Sequence, residues 1–142
     1  LQEAECPVVV APERFEQLDE IVFAYDGSAT ALYAIKQFAH LFPQLRQVPL
    51  TVIHVQQHGE WKTDETNKHR LHEWLQVHFE QPDFEVLSGK PGNALFDYLL
   101  NKKNILLVMG AYGRNMISQL FKRSNAAPLL DTLFHPVFIA HP

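Results

Sequence analysis

Five short runs of β-forming apolar residues alternate with longer segments of helical periodicity, and this alternation limits the chain to few folds. The runs are residues 21–25, 50–55, 84–87, 105–109 and 137–140. Four helices are predicted between them, at residues 29–42, 60–79, 93–101 and 124–133. Continuous apolar runs are typical of strands buried on both faces of a parallel sheet. The sequence therefore predicts an α/β fold with a parallel sheet and helices on both faces.

Charge, cysteine content and hydropathy restrict the class of partner. A net charge of -4 argues against nucleic acid, whose binding domains usually carry a basic stripe. The single cysteine, Cys6, excludes an internal disulfide and favours a reducing compartment. No apolar run approaches the length that crosses a bilayer, and residues 1–5 lack the pattern of a signal peptide. We therefore expect a cytoplasmic protein without nucleic-acid or membrane partners.

The two ends of the chain carry similar apolar segments. Residues 6–12 read Cys-Pro-Val-Val-Val-Ala-Pro, and residues 135–142 read His-Pro-Val-Phe-Ile-Ala-His-Pro. A last-strand sequence ahead of the first strand is what a tandem repeat divided between its copies would leave. We therefore predict that residues 1–19 are the last strand and linker of a preceding repeat and that residues 20–142 are the domain. We also expect residues 7–10 to lie beside a Val137–Ala140 edge, in the same chain or in a neighbour.

The first candidate site lies at the end of the first predicted strand, at Tyr25, Asp26, Gly27 and Ser28. Ligands of such folds bind at the carboxyl ends of the strands. A carboxylate there can accept hydrogen bonds from ribose hydroxyls, and a glycine lets a ligand approach the backbone closely. The same residues are also common in a plain strand-to-helix turn, in which Ser28 would cap the helix. The residues alone leave both interpretations open.

The second candidate site follows the fourth predicted strand and contains Gly110, Gly113, Arg123 and Ser124. Glycines after a strand expose backbone N–H groups, and a helix that begins at Ser124 would add free donors and the positive end of its dipole. Gly-x-x-Gly on its own is a weak indicator of an anion site. Its position after a strand and before a capped helix strengthens the prediction.

These segments together resemble the universal stress protein family. The resemblance covers residues 20–142 and rests on Asp-x-Ser after the first strand, Ile-His-Val in the second, the glycine loop and the final Pro-Val strand. It implies a five-stranded parallel sheet of the Rossmann-like, adenine-nucleotide α-hydrolase-like type, with strand order 3-2-1-4-5 counted from residues 21–25. It also implies dimerisation through the last strand. The positions that hold ATP in nucleotide-binding members correspond here to Asp26, Val55, Gly110, Gly113 and Ser124.

Arg123 departs from the family pattern, which has a third glycine at this position. A glycine would let phosphate lie against the backbone, and a φ above zero there would cost arginine about 1 kcal/mol or more. The arginine side chain could also fill the phosphate space. Alternatively, Lys122 and Arg123 could attract phosphate by their charge. Family members without the glycine pattern generally do not bind ATP.

Three functions follow from these observations. The first is a stress-response module that binds ATP or AMP, with Mg²⁺ only as a companion of ATP. The second is a scaffold of the same fold that does not bind nucleotide and acts as a homodimer, an intramolecular pseudo-dimer or a partner-binding module. The third is an enzyme with at most slow ATP hydrolysis, because no catalytic set of side chains emerges from the sequence. His69 and His72 could face one side of a helix, but no further ligand pair completes a metal site.

Overall fold

A computed structural model describes residues 6–56, 65–111 and 135–142 of the chain. The described strands are β1 (Val8–Val10), β2 (Glu20–Tyr25), β3 (Leu50–Gln56), β4 (Pro82–Ser88), β5 (Ile105–Gly110) and β6 (Val137–Ala140). The described helices are α1 (Ala29–Leu41), α2 (Glu65–His78) and α3 (Pro91–Leu100), with a short 3-10 turn at Pro43–Leu45. The predicted helix at residues 124–133 and the beginning of the one at residues 60–79 lie outside the described residues.

The described strands form a mixed, six-stranded sheet in the order β1-β6-β5-β2-β3-β4. This corrects the prediction of a five-stranded, wholly parallel sheet, because β1 adds to the outer edge of β6 in the antiparallel direction. The other five strands run parallel, and their order is the one predicted. The pairing of β1 with β6 also confirms that residues 7–10 lie beside the Val137–Ala140 edge, here in the same chain.

The side chains of β2 alternate between two apolar layers, as expected for a strand covered on both faces. Phe23 points toward α1 and the end of α2, where its ring makes edge-to-face contacts with Phe38 and with Phe79, the residue after α2, each at 5.7 Å between ring centroids. Val22 points to the other face, in the layer that contains Leu95 and Leu99 of α3. Among the described residues, helices therefore cover both faces of the sheet, which leaves its edges and strand ends for ligands.

A cluster of polar side chains links three elements at the amino end of the sheet. Glu20, at the start of β2, accepts hydrogen bonds from the Thr51 hydroxyl and from Lys102 Nζ, the latter at 3.0 Å. Lys102 also lies over the ring of Tyr98, 5.0 Å from its centroid. The hydrogen bond to Glu20 raises the pKa of Lys102, and burial raises the pKa of Tyr98. This cluster binds β2, β3 and the end of α3 together on the side of the sheet opposite to the predicted site.

Candidate functional site

The carboxyl ends of β2 and β5 bring two of the predicted site residues to one edge of the sheet. The two strands are parallel neighbours, and their described register extends to the pair Phe23 and Val108. Asp26 follows β2 three residues after Phe23, and Gly110 ends β5 two residues after Val108. The prediction that these strands are adjacent and parallel, with Asp26 and Gly110 at the same edge, is therefore confirmed.

A tight turn connects β2 to α1 at this edge. Gly27 has φ 81, a left-handed conformation that glycine adopts without the steric cost paid by other residues. The backbone N–H of Ser28 donates to Asp26 Oδ1 at 2.9 Å, and Ser28 Oγ accepts from the N–H of Ala31 at 3.1 Å. The plain turn with a serine cap is thus present. Asp26 itself is exposed, so its carboxylate faces solvent at the strand ends.

The N-terminus of α1 lies against the end of β5. A Cβ atom added to Gly110 would lie 2.9 Å from the backbone carbon and oxygen of Thr30 and equally close to its Cγ2. The first turn of a helix carries unpaired N–H groups and the positive end of the helix dipole. The close packing on Gly110 therefore places the positive end of α1, which begins directly after the Asp26 turn, beside the end of β5.

This packing gives Gly110 a structural role that the sequence did not reveal. The glycine was predicted as part of an anion-binding loop, where its backbone would face a ligand. In the structure its α-carbon lies under α1, and the next N–H group, that of Ala111, donates to the carbonyl oxygen of Ala140 at 3.0 Å. Close packing of a helix on a strand is a sufficient reason for glycine at this position.

Tyr25 of the first candidate site forms a ring pair at the same edge with His54, which was not predicted as a site residue. They are direct neighbours in the parallel register of β2 and β3, and their ring centroids are 5.8 Å apart. Tyr25 is buried, whereas His54 is half-buried. Because Tyr25 ends its predicted strand and His54 lies one residue before the end of the next, the predicted parallel alignment of these strands was the signal that could have found the pair.

The remaining predicted site residues are only partly described. Val55 belongs to β3 and pairs with Leu87 of β4, which places its backbone at the carboxyl end of the sheet. Gly113, Arg123 and Ser124 lie outside the described residues. The structure therefore brings Asp26, Gly110 and the backbone of Val55 to one end of the sheet.

A groove of about 290 Å³ lies elsewhere, between the start of α2 and the start of β4. Its walls include His69, His72 and Phe84, and the rings of His72 and Phe84 are 5.0 Å apart. His69 also lies 3.2 Å from Glu73, one turn along the helix. Within residues 6–56, 65–111 and 135–142, no three histidine, cysteine, aspartate or glutamate side chains are grouped to hold a metal ion.

Comparison with known proteins agrees with this architecture. The sequence model of the universal stress protein family matches residues 18–141, so the chain belongs to that family. A universal stress protein of Synechocystis sp. is 29% identical over 131 residues, which are 92% of this chain and 45% of that protein. The chain therefore spans less than half the length of this curated relative.

Three solved structures share the fold. A universal stress protein from Archaeoglobus fulgidus DSM 4304 has a TM-score of 0.63 at 20% identity, over 98% of this chain and 50% of that chain. A universal stress protein in complex with cAMP has a TM-score of 0.57 at 18% identity, over 89% and 99%. UspA from Lactobacillus plantarum has a TM-score of 0.55 at 18% identity, also over 89% and 99%. No helix among the described residues is long and apolar enough to cross a membrane.

Proposed function

We propose that this chain is a stress-response α/β module that binds ATP or AMP at the carboxyl ends of β2, β3 and β5, through a pocket whose phosphate loop is altered. One observation carries the proposal: the exposed Asp26 carboxylate and the N-terminus of α1 meet at the edge where β5 ends. A carboxylate suits ribose hydroxyls, and a helix N-terminus suits the phosphates that follow them. The solved structure with cAMP supports a nucleotide in this fold, although it shares only 18% of its residues with this chain.

Each predicted residue has a role in this pocket. Asp26 would accept hydrogen bonds from the ribose, and the backbone of Val55 would border the base. Gly110 would keep α1 close enough for its N-terminus to face the ligand, since a side chain there would push the helix away. Gly113 and Ser124 would supply donors to the phosphates. His54, half-buried beside Tyr25, could add an aromatic surface for a purine.

Arg123 decides which nucleotide is preferred. Its side chain would fill the space in which a glycine lets the terminal phosphates reach the backbone. AMP has no terminal phosphates to lose, so it should bind this chain at least as well as ATP. Mg²⁺ would enter only with ATP, and turnover would be no more than slow ATP hydrolysis.

A second function is a scaffold of the same fold that has no nucleotide. The described geometry favours it in one respect, because the Asp26 turn already satisfies its own donors and Gly110 already has a packing role. In this case the chain would act through its last strand, which would join the two halves of a homodimer or of an intramolecular pseudo-dimer. Residues 1–19 would then be the last strand and linker of a preceding repeat, and residues 20–142 the domain.

Titration calorimetry of the 142-residue chain separates the two functions. We expect AMP and ATP to bind the native chain and Asp26→Ala to weaken binding about tenfold or more, the effect of losing about 1.5–3 kcal/mol of charge-assisted hydrogen bonding. Asp83→Ala is the matched control, because Asp83 is also exposed and also accepts a local backbone hydrogen bond. Equal binding by Asp26→Ala and Asp83→Ala would refute the assigned site.

Arg123→Gly tests the altered loop. If the missing glycine limits phosphate binding, this variant should bind ATP more tightly and AMP about equally. Weaker ATP binding by Arg123→Gly would instead make the arginine a phosphate ligand and overturn the assigned role.

A further inference from the structure

The outer edge of β4 has main-chain groups that point away from the sheet. β4 lies at the end of the described sheet opposite to β1 and is seven residues long. The N–H of Leu50 donates to the carbonyl oxygen of Gln81 at 3.3 Å, and this bond fixes which residues of β4 bond to β3. Because successive residues of a strand bond to opposite sides, Asp83 and every second residue after it bond to β3. The N–H and C=O groups of Phe84 and Val86 therefore point outward.

These outward groups are most accessible at Val86. The outward N–H of Phe84 donates to Oδ1 of the neighbouring Asp83 at 2.8 Å, so it already has an acceptor. Among the described residues, no strand lies opposite the N–H and C=O groups of Val86. The Val86 side chain is also 41% exposed. This residue therefore offers a donor, an acceptor and an apolar surface to an added strand.

The two faces of β4 differ in character. Phe84 packs in the apolar layer under α1 and α2, and Val86 shares this face because side chains alternate along a strand. Leu87 packs in the layer under α3, and the alternation places Asp83 and Glu85 on that side. Both carboxylates are exposed. The edge is therefore apolar on one face and negatively charged on the other.

The groove between the start of α2 and the start of β4 extends the apolar face. The rings of His72 and Phe84 form part of its wall. Its volume of about 290 Å³ lies at the lower limit of small-molecule pockets, about 300 Å³, and suits one large side chain. The charged residues that line it, Glu65, Lys68 and Asp83, carry both signs. The ring pair is therefore the feature that selects an apolar or aromatic side chain.

We propose that the β4 edge binds an extended segment of another protein in which basic and apolar residues alternate. The segment adds a strand that exchanges main-chain hydrogen bonds with Val86. Its apolar side chains lie over Val86 and enter the groove beside Phe84, and its basic side chains face Asp83 and Glu85. The β4 strand of a second copy does not fit, because the carboxylates of the two strands would face each other.

A synthetic peptide of the sequence Lys-Val-Lys-Phe-Lys-Val-Lys, as long as β4, tests the surface on the whole chain. Lys-Lys-Val-Phe-Val-Lys-Lys is the control that loses the alternation at equal charge, and Glu-Val-Glu-Phe-Glu-Val-Glu is the control that reverses the charge. Fluorescence anisotropy of the labelled peptides should show about tenfold tighter binding of the first peptide than of either control. Equal binding of the two lysine peptides would reduce the interaction to net charge and overturn the proposal.

Val86→Pro tests the main-chain bonding. The change removes an outward N–H and leaves the ladder to β3 intact, because an edge strand tolerates proline on its outer side. Val86→Thr is the matched control, since it keeps the N–H and a β-branched side chain. The proline variant should bind the alternating lysine peptide about tenfold more weakly than the threonine variant, because the peptide carbonyl is left without its donor. Equal affinities of the two variants, with native circular dichroism, would refute the added strand.

Glu85→Lys tests the charged face without a change in the backbone. It should weaken binding of the alternating lysine peptide about threefold to tenfold and strengthen that of the glutamate peptide, because the cross-strand charge pair is reversed. Glu13→Lys makes the same change in net charge at an exposed residue between β1 and β2 and should bind as the native chain does. An equal loss in both variants would remove Glu85 from the surface.

Hydrogen exchange at the Val86 amide identifies the occupant. Exchange should slow when the alternating lysine peptide is added and should not depend on protein concentration without it. Slow exchange that depends on protein concentration alone would make a second copy the occupant and contradict the proposal. No nucleotide enters these experiments, so they can fail while nucleotide binding holds, and the reverse.

Discussion

Two glycines at the carboxyl end of the sheet respond to different constraints. Gly27 needs its left-handed φ of 81 to turn the chain from β2 into α1. Gly110 needs the absence of a side chain, since a Cβ would lie 2.9 Å from the backbone of Thr30. The first constraint is local and the second joins two distant segments. Both together set the position of Asp26 relative to α1.

Gly27→Ala should lower the free energy of unfolding by about 1 kcal/mol, because alanine pays the steric cost of a left-handed conformation. Gly27→Asn should cost less, because asparagine tolerates that conformation better than other side chains. Urea denaturation of both variants checks this order. An alanine variant as stable as the native chain would mean that the turn relaxes to a negative φ.

Gly110→Ala should destabilise the nucleotide-free protein by about 1–3 kcal/mol, the usual cost of forcing an extra carbon into a well-packed site. The reason is the contact with the backbone of Thr30, which cannot rotate away as a flexible side-chain tip could. Denaturation without ligand is the relevant measurement. If stability is unchanged but nucleotide binding is lost, the glycine at position 110 is needed for binding and not for packing.

At the scale of the elements, local sequence patterns predicted the core well and the element boundaries less well. The apolar run of residues 105–109 and the Ser28 cap of α1 identified their elements because burial and capping are local signals. β4 begins at Pro82, earlier than predicted, because an edge strand tolerates proline. α3 likewise begins at Pro91, since proline suits a first helical position and the Pro-Gly pair had suggested a turn.

The amino-end cluster makes a prediction about alkaline pH. The pKa of Lys102 is raised in the folded protein by its hydrogen bond to Glu20, so the stability this adds is present below the unfolded pKa of about 10.4. It is lost as the pH rises through the folded pKa. The raised pKa of Tyr98 acts in the same direction.

We therefore expect Lys102→Met to lower the free energy of unfolding by about 1 kcal/mol near neutral pH, in keeping with a partly exposed ion pair. Above a pH of about 10, the stability of this variant should fall less steeply than that of the native chain. Lys103→Met, at an exposed neighbouring lysine, is the control and should follow the native profile. If stability depends on pH in the same way in all three proteins, Lys102 does not contribute to the alkaline loss of stability.

At the scale of the whole molecule, strand order was the most informative prediction about the site. The order of the parallel strands is sufficient to place Asp26 and Gly110 at one edge of the sheet. The packing of Gly110 on Thr30 could not be predicted from the sequence, because it depends on how closely α1 packs on β5. β1 was expected beside the last strand. The sequence did not decide whether this pairing forms within one chain, because that depends on the path of residues 11–19.

Amide chemical shifts measured by NMR during an AMP titration would show where on the sheet the nucleotide binds. We expect the largest shifts at the carboxyl end of the sheet, at the amides of Gly27, Ser28 and Gly110. The chemical shifts of the Glu20 and Asn104 amides, at the opposite end, should not change. Shifts concentrated at that opposite end, or no shifts at millimolar AMP, would contradict nucleotide binding at the carboxyl end of the sheet.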